Sequence, residues 1–183
     1  MLANGHGKTR ATRTGTARKA ATWRLMFLSA GEESLSAVVS RAGRKTNAGQ
    51  EIRLADIDSD AGMNMGAFET LSGMSSPAEL ALTLKDNAAS YHGTAGRKWI
   101  EEVVSMRTSI ADSLKKQLDS TASRYAPAQA SGQVIRVARR FALVAIAGEL
   151  ATRLGITGWE EGEANKAARK CFESWLEGFG GTG

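Results

Sequence analysis

Near Ser75 the sequence changes character, and that change constrains the fold more than any other feature. From Ser76 onward the apolar residues recur at intervals of three and four, the period of a helix with one buried face. Ser76-Pro77-Ala78-Glu79 has the form of a capping box with proline in the first helical position, so a helix should begin there. Leu80, Leu84, Ala88 and Tyr91 step along one face of it. Thr94 is placed to cap a second helix, in which Ile100, Val103, Val104, Ile110, Leu114 and Leu118 return at helical spacing. YAPAQASG breaks the pattern. Gln133 to Leu154 reads as a third helix, apolar over most of its circumference and therefore central to a bundle. Arg136, Arg139 and Arg140 near its start read as a solvated face more readily than as a DNA contact. GITGW turns the chain, and Glu161 to Leu176 forms a last helix. Its Ala164, Ala168, Cys171, Phe172 and Trp175 share one side, an aromatic stripe that reads as core rather than as a ligand site. The expectation is a helical domain of about four helices over residues 75–178, with a flexible tail over 179–183.

The pattern ahead of Ser75 is different. Residues 1–21 are rich in Gly, Thr, Arg and Ala without periodicity and read as a flexible loop or arm. TWRLMFLS, Thr22 to Ser29, is a continuous apolar run bounded by turn residues, the pattern of a central strand buried on both faces. A helix follows from about Glu33 to Ala42 with Leu35, Val38 and Val39, then the basic loop AGRKTNAGQ. QEIRLADI, Gln50 to Ile57, partly alternates and reads as a second strand, and DSDAGMNMG as a loop. Two strands do not make a stable core by themselves. Residues 22–74 therefore look like the back half of a sheet whose front half is missing. The expected fold class is an α/β remnant of about two strands followed by a mainly α-helical bundle.

Charge is unevenly placed. The net charge is +5, yet residues 1–31 hold Lys8, Arg10, Arg13, Arg18, Lys19 and Arg24 and no Asp or Glu, so the whole surplus sits at one end. A concentrated basic segment attracts polyanions, whether nucleic acid or nucleotide phosphates; a solvated tail is the plain alternative. One cysteine, Cys171, excludes an internal disulfide framework and a cysteine-based zinc site, and fits a reducing cytosol. His6 and His92 lie far apart without ligand spacing, so no metal site is expected. The longest apolar run, Phe141 to Ala147, falls well short of the ~20 residues a membrane helix needs, and no membrane partner is expected.

GHGKT, residues 5–9, resembles the end of a Walker A loop. That motif needs a glycine four residues before the Gly-Lys-Thr, to make the turn in which backbone N–H groups wrap phosphate. Leu2 stands at that position, and no residues precede it to form the required strand. GHGKT is therefore read as a basic loop and not as a nucleotide cradle.

Three stretches carry a resemblance: LANGHGKTRATRTGTARKAATWRLMFLSAGEESL, AGQEIRLADIDSDAG and RFALVAIAGELATRLGITGWEEGEA. Together they resemble a bacterial family catalogued as "domain of unknown function 927", P-loop ATPases of helicase or primase-helicase type in phages and mobile elements. The resemblance runs in order along nearly the whole chain. It implies that this chain corresponds to a C-terminal portion, downstream of Walker A and Walker B, with its strands belonging to a RecA/AAA-like sheet. It implies ATP and Mg2+ as cofactors of the full-length family member and none for this chain alone, DNA as partner, and a ring-like homo-oligomer in the full-length context. By analogy with ring helicases, Ser29 and Glu32 at the end of TWRLMFLS would take a sensor-like place. Arg53 in the next strand would resemble an arginine finger, stabilising charge on a transferred phosphoryl group. Gly5, Lys8, Arg10 and Arg13, with Arg18 and Lys19 beyond them, would contact DNA phosphates. Beside these readings stand plainer ones, in which Arg53 is a solvated strand residue and Ser29 simply ends a strand.

The function expected from this resemblance is the C-terminal portion of a helicase-like ATPase, not catalytic by itself. Two alternatives differ in kind: a non-enzymatic nucleic-acid-binding module, or an assembly domain whose helices pack on a partner subunit. Hydrolase readings lack their parts, since there is no G-x-S-x-G and no nucleophile paired with histidine.

Overall fold

A computed structural model describes residues 5–11, 13–43 and 52–181. The chain divides into two compact units, Met1–Leu54 and Ala55–Gly183. Six helices are present among the described residues: α1 (Leu35–Arg41) in the first unit, and α2 (Pro77–Ser90), α3 (Thr94–Ser105), α4 (Arg107–Tyr125), α5 (Gly132–Arg153) and α6 (Glu163–Phe179) in the second.

The expected α/β remnant is not there. The described residues contain no β-strand and no sheet, only the isolated antiparallel bridges His6–Thr22 and Ala11–Ala17. Leu25, Met26, Phe27 and Leu28, which were to be buried on both faces, are between 47% and 102% exposed. An apolar run becomes a strand only when neighbouring backbones complete its hydrogen bonds; Thr22 and Trp23 pair with His6 and Gly5, and past Trp23 none lies alongside among the described residues. The second expected strand fails for a local reason. Gln50 and Glu51, with most of the AGRKTNAGQ loop, lie outside the described residues, and Ile52 to Leu54 form a turn and bend. Just beyond, the Asp60 backbone N–H donates to Asp58 Oδ1 at 2.9 Å and the Gly62 N–H to Asp60 Oδ1 at 2.8 Å. These short side-chain bonds shape the loop that was expected there.

In the second unit, α2 begins as the sequence indicates. The Ser76 hydroxyl accepts from the Glu79 N–H at 3.2 Å. Glu79 Oε2 reaches back one residue further than a standard box, taking both the backbone N–H (2.8 Å) and the hydroxyl of Ser75. Of the face expected on α2, Leu80 is buried while Leu84 and Tyr91 are exposed. The single helix expected after Thr94 is two. Gly93, at φ 85°, is the N-cap of α3, and Met106 separates α3 from α4. Hydroxyls flank that break: Ser105 Oγ donates to the Glu102 carbonyl at 2.8 Å and Ser109 Oγ to the Met106 carbonyl at 2.9 Å, local bonds that compete with a continuous ladder. The helical region thus has five helices instead of four.

The core is made by α4, α5 and α6. Packing is most extensive between α5 and α6, then between α4 and α5. Central α5 buries Val134, Val137, Ala138, Ala142 and Ala145, a stripe at the helical period. Facing it, α6 buries Ala164, Ala168, Phe172 and Trp175, and α4 adds Thr121, Ala122 and Tyr125. Phe172 is the centre of an aromatic cluster, with ring centroids 6.0 Å from Tyr125, 5.8 Å from Phe141 and 5.7 Å from Trp175. Small residues bring α5 and α6 together, closest at Gly148, where an added Cβ would lie 2.5 Å from that of Ala164. The backbone between Arg153 and Glu163 returns tightly, and the Glu149 carboxylate caps α6 across it. Its Oε2 accepts from the Gly162 N–H and its Oε1 from the Asn165 N–H, both at 2.8 Å. The Tyr125 hydroxyl donates toward Asn165 Oδ1 at 2.7 Å, and its burial pushes the phenol up from its ordinary pKa.

Gly148→Ala should destabilise the second unit by about 1–3 kcal/mol, the range for overpacking a close contact, read as a lower midpoint in denaturant with an unchanged slope. A second prediction concerns pH. Hydrogen bonds from the Ser75 hydroxyl, then from its backbone N–H, hold the Glu79 carboxyl below its ordinary pKa. A depressed folded-state value means stabilisation that is complete above the ordinary glutamate range and fades as pH falls through the lowered pKa. The Glu79 titration followed by NMR should therefore shift upward in Ser75→Ala, and the start of α2 should lose its acid sensitivity in Glu79→Gln.

Candidate nucleic-acid interface

Expected as a loop or arm, the N-terminal segment instead folds back on itself as a hairpin. The Trp23 N–H donates to the Gly5 carbonyl at 2.8 Å, the Gly7 N–H to the Ala21 carbonyl at 2.8 Å, and the Arg18 N–H to the Arg10 carbonyl at 2.9 Å. The two bridges lie in the same register, which places Gly5 opposite Trp23, Gly7 opposite Ala21 and Arg10 opposite Arg18. The chain reverses through Arg13, Thr14 and Gly15, the last at φ 80°, where glycine is the least strained residue.

This register explains the glycines of GHGKT. Gly5 has φ 72°, and a Cβ on it would come within 3.0 Å of the Trp23 carbonyl oxygen. A Cβ on Gly7 would meet the Trp23 ring at 3.7 Å. The Gly7 N–H is already donated across the hairpin, and the segment runs on to the Ala11 bridge rather than into a helix. Both glycines serve the hairpin, and the backbone does not have the form of a phosphate cradle.

Charge follows from the same pairing. Lys8, Arg10, Arg13, Arg18 and Lys19 are all exposed. The bond from the Arg18 N–H to the Arg10 carbonyl makes these two a directly opposed pair on one face of the hairpin. Arg10 and Arg18 stand directly opposite one another, a like-charge pair that opposes the hairpin by about 0.2–1 kcal/mol. With no acidic residue before Glu32, no carboxylate within the hairpin relieves them. The sequence does hold a signal for this pairing, since Lys8-Thr9-Arg10 and Arg18-Lys19-Ala20 lie nearly symmetrically about Thr14.

The other sequence-expected site residues are not gathered. Ser29 and Glu32 are exposed in a segment without regular structure, so the strand end that was to make them sensor-like is missing. Arg53 is exposed in a turn and not on a strand. No hydrogen bond or ion pair joins Ser29, Glu32 or Arg53 to another group among the described residues. Arg139 is ion-paired with Asp119 of α4 and ties α5 to α4. Glu69 of a distant loop pairs with Lys170 of α6, and the pairing lowers the carboxyl's pKa and raises the ammonium's. Glu149 went unread in the sequence; its signal is the lone carboxylate of its helix, following the apolar run Phe141 to Ala147. Among the described residues no three His, Cys, Asp or Glu side chains come together as a metal site, and no helix is long and apolar enough to cross a membrane.

Comparisons with family models, with curated proteins and with solved structures give no match. The resemblance to the helicase-like family rests on the quoted residues.

Proposed function

We propose that this chain binds DNA without reading its sequence, through phosphate contacts made by the basic hairpin of residues 5–23. The observation that carries this reading is the Arg10–Arg18 pair held opposite across the hairpin, with exposed Lys8 two residues away and no carboxylate in the segment. Like charges carried on directly opposed residues repel one another, an anion between them would offset that repulsion, and phosphate suits their planar forks. Binding then relieves a strain that the free hairpin carries. Arg13 at the reversal and exposed Lys19 extend the positive surface. Aromatic residues are sparse, and none lies between the basic residues of the hairpin before Trp23, so base stacking contributes little.

The resemblance to helicase-like P-loop ATPases gives this binding a setting. On that reading the chain supplies DNA contacts within a larger ATP- and Mg2+-dependent machine of a phage or mobile element. Arg53, Ser29 and Glu32 have no catalytic part in the proposal, since the strands that would aim them at a nucleotide are absent among the described residues.

Fluorescence anisotropy of labelled duplex DNA across a salt series tests the proposal. Five phosphate contacts give a slope of log K on log salt of about −4.5, and each single substitution of Arg10, Arg13 or Arg18 by Ala should reduce it by about 1, similarly on unrelated sequences. Gly5→Ala should weaken binding although it removes no charge, because it disrupts the register that opposes Arg10 to Arg18. Salt-insensitive binding, or binding unchanged when residues 1–21 are deleted, would sink the proposal.

A further inference from the structure

We infer that the outer face of α3 is a self-association surface, on which a second copy of this chain packs its own α3 in antiparallel orientation. The helix is 12 residues long, about 18 Å, and buries none of its residues. Its inner side, through Trp99 and Val103, lines an apolar groove of about 420 Å³ with Ile110 and Leu114 of α4 and Leu143 and Leu150 of α5. Its outer side carries Ile100 and Val104, exposed at 62% and 66%. These are four apart and share a face with Gly96, at which an added Cβ would meet nothing within 4 Å. A soluble helix that turns two neighbouring β-branched residues to water on one stripe, beside a glycine that admits close approach, is built to be covered.

Charge on the rim of that stripe selects the occupant. At 100° per residue, Arg97 and Glu101 flank Ile100 on the same side of the stripe. Neither is held in an ion pair or side-chain hydrogen bond within the chain among the described residues. About a parallel two-fold axis the flanks are exchanged, so Arg97 and Glu101 of one copy would face the Val103 and Trp99 side of the other and meet no opposite charge. Turned antiparallel about a two-fold axis through Ile100, the same helices set Arg97 of each copy about 3 Å along the axis from Glu101 of the other, twice over. Ile100 then meets Ile100 on the axis, and Val104 packs along the Arg97 stem of the second copy. The helix is complementary to itself in that one orientation. A single pair of short helices makes a small contact, so the dimer is concentration-dependent rather than obligate.

Sedimentation equilibrium on the full chain tests this. The apparent mass should rise from 19.4 kDa toward twice that as concentration increases from low micromolar to millimolar. Ile100→Glu, at an exposed position where the fold is not at risk, should remain a monomer throughout, with circular dichroism unchanged. Arg97→Glu and Glu101→Arg should each weaken association by about three- to tenfold, and the double variant should recover it. A chain monomeric at every concentration overturns the inference. So does a dimer that Ile100→Glu leaves intact, which would place the contact elsewhere, for instance on the exposed run Leu25 to Leu28. A double variant as weak as the single ones overturns the antiparallel pairing.

Discussion

Everything in the second unit depends on how closely α5 and α6 approach. Gly148 faces Ala164 with no room for another carbon, and Ala138, Ala142, Ala145 and Ala168 keep the rest of the seam narrow. That closeness lets the Glu149 carboxylate, carried on α5, reach two free N–H groups at the start of α6. A helix begins with donors that its own carbonyls do not meet and with the positive end of its dipole, and an anion there is stabilising. Gly162 is the N-cap of α6, at φ 92° and with no side chain to offer, so the cap has to come from another helix. Phe172 then lands between Tyr125, Phe141 and Trp175, and Tyr125 in turn ties α4 to Asn165. Packing distance, helix capping and aromatic core are thus linked through one helix pair.

The parts legible in the sequence are those governed by local rules. The capping residues Ser76 and Glu79 act over four positions, and the one-sided set on α6 repeats with the helix itself; Ser76 caps α2, and Ala164, Ala168, Phe172 and Trp175 are buried as the pattern puts them. The break at Met106 escapes periodicity because Ile110 and Leu114 keep the phase of the preceding turns. What interrupts the helix is hydroxyl competition from Ser105 and Ser109, a weaker signal than glycine or proline. The Glu149 cap joins residues 13 and 16 positions apart, beyond the reach of any short motif.

The missing sheet has another cause. TWRLMFLS reports truly that its side chains are apolar, but a run of this kind states only what the residues would gain by burial. Whether a neighbouring strand is there to supply the hydrogen bonds is a property of the rest of the chain. Among the described residues none is supplied, and Leu25 to Leu28 stay in water. The same limit applied to GHGKT in the opposite sense. Its glycines looked like phosphate-loop glycines, yet the residues that give them meaning are Ala21 and Trp23, fourteen and eighteen positions away from their respective partners Gly7 and Gly5.

The two units divide the energetic work. In Ala55–Gly183 the residues that matter are buried and mutually dependent, so their replacement acts on stability. In the hairpin the basic residues are exposed and mutually repulsive, and removing one relaxes the free state slightly while weakening the hold on an anion. A segment arranged this way is poor at stabilising itself and well suited to being stabilised by something else. Were Arg10 and Arg18 there only to keep the arm soluble, placing them on opposite sides of one hydrogen-bonded pair would be the least favourable choice, since Thr9 and Ala17 next to them could take that position without repulsion. On the proposed reading a negative group between the two guanidinium groups gives the pairing its reason, and a polyanion that offers phosphates in succession would also engage Lys8 and Arg13.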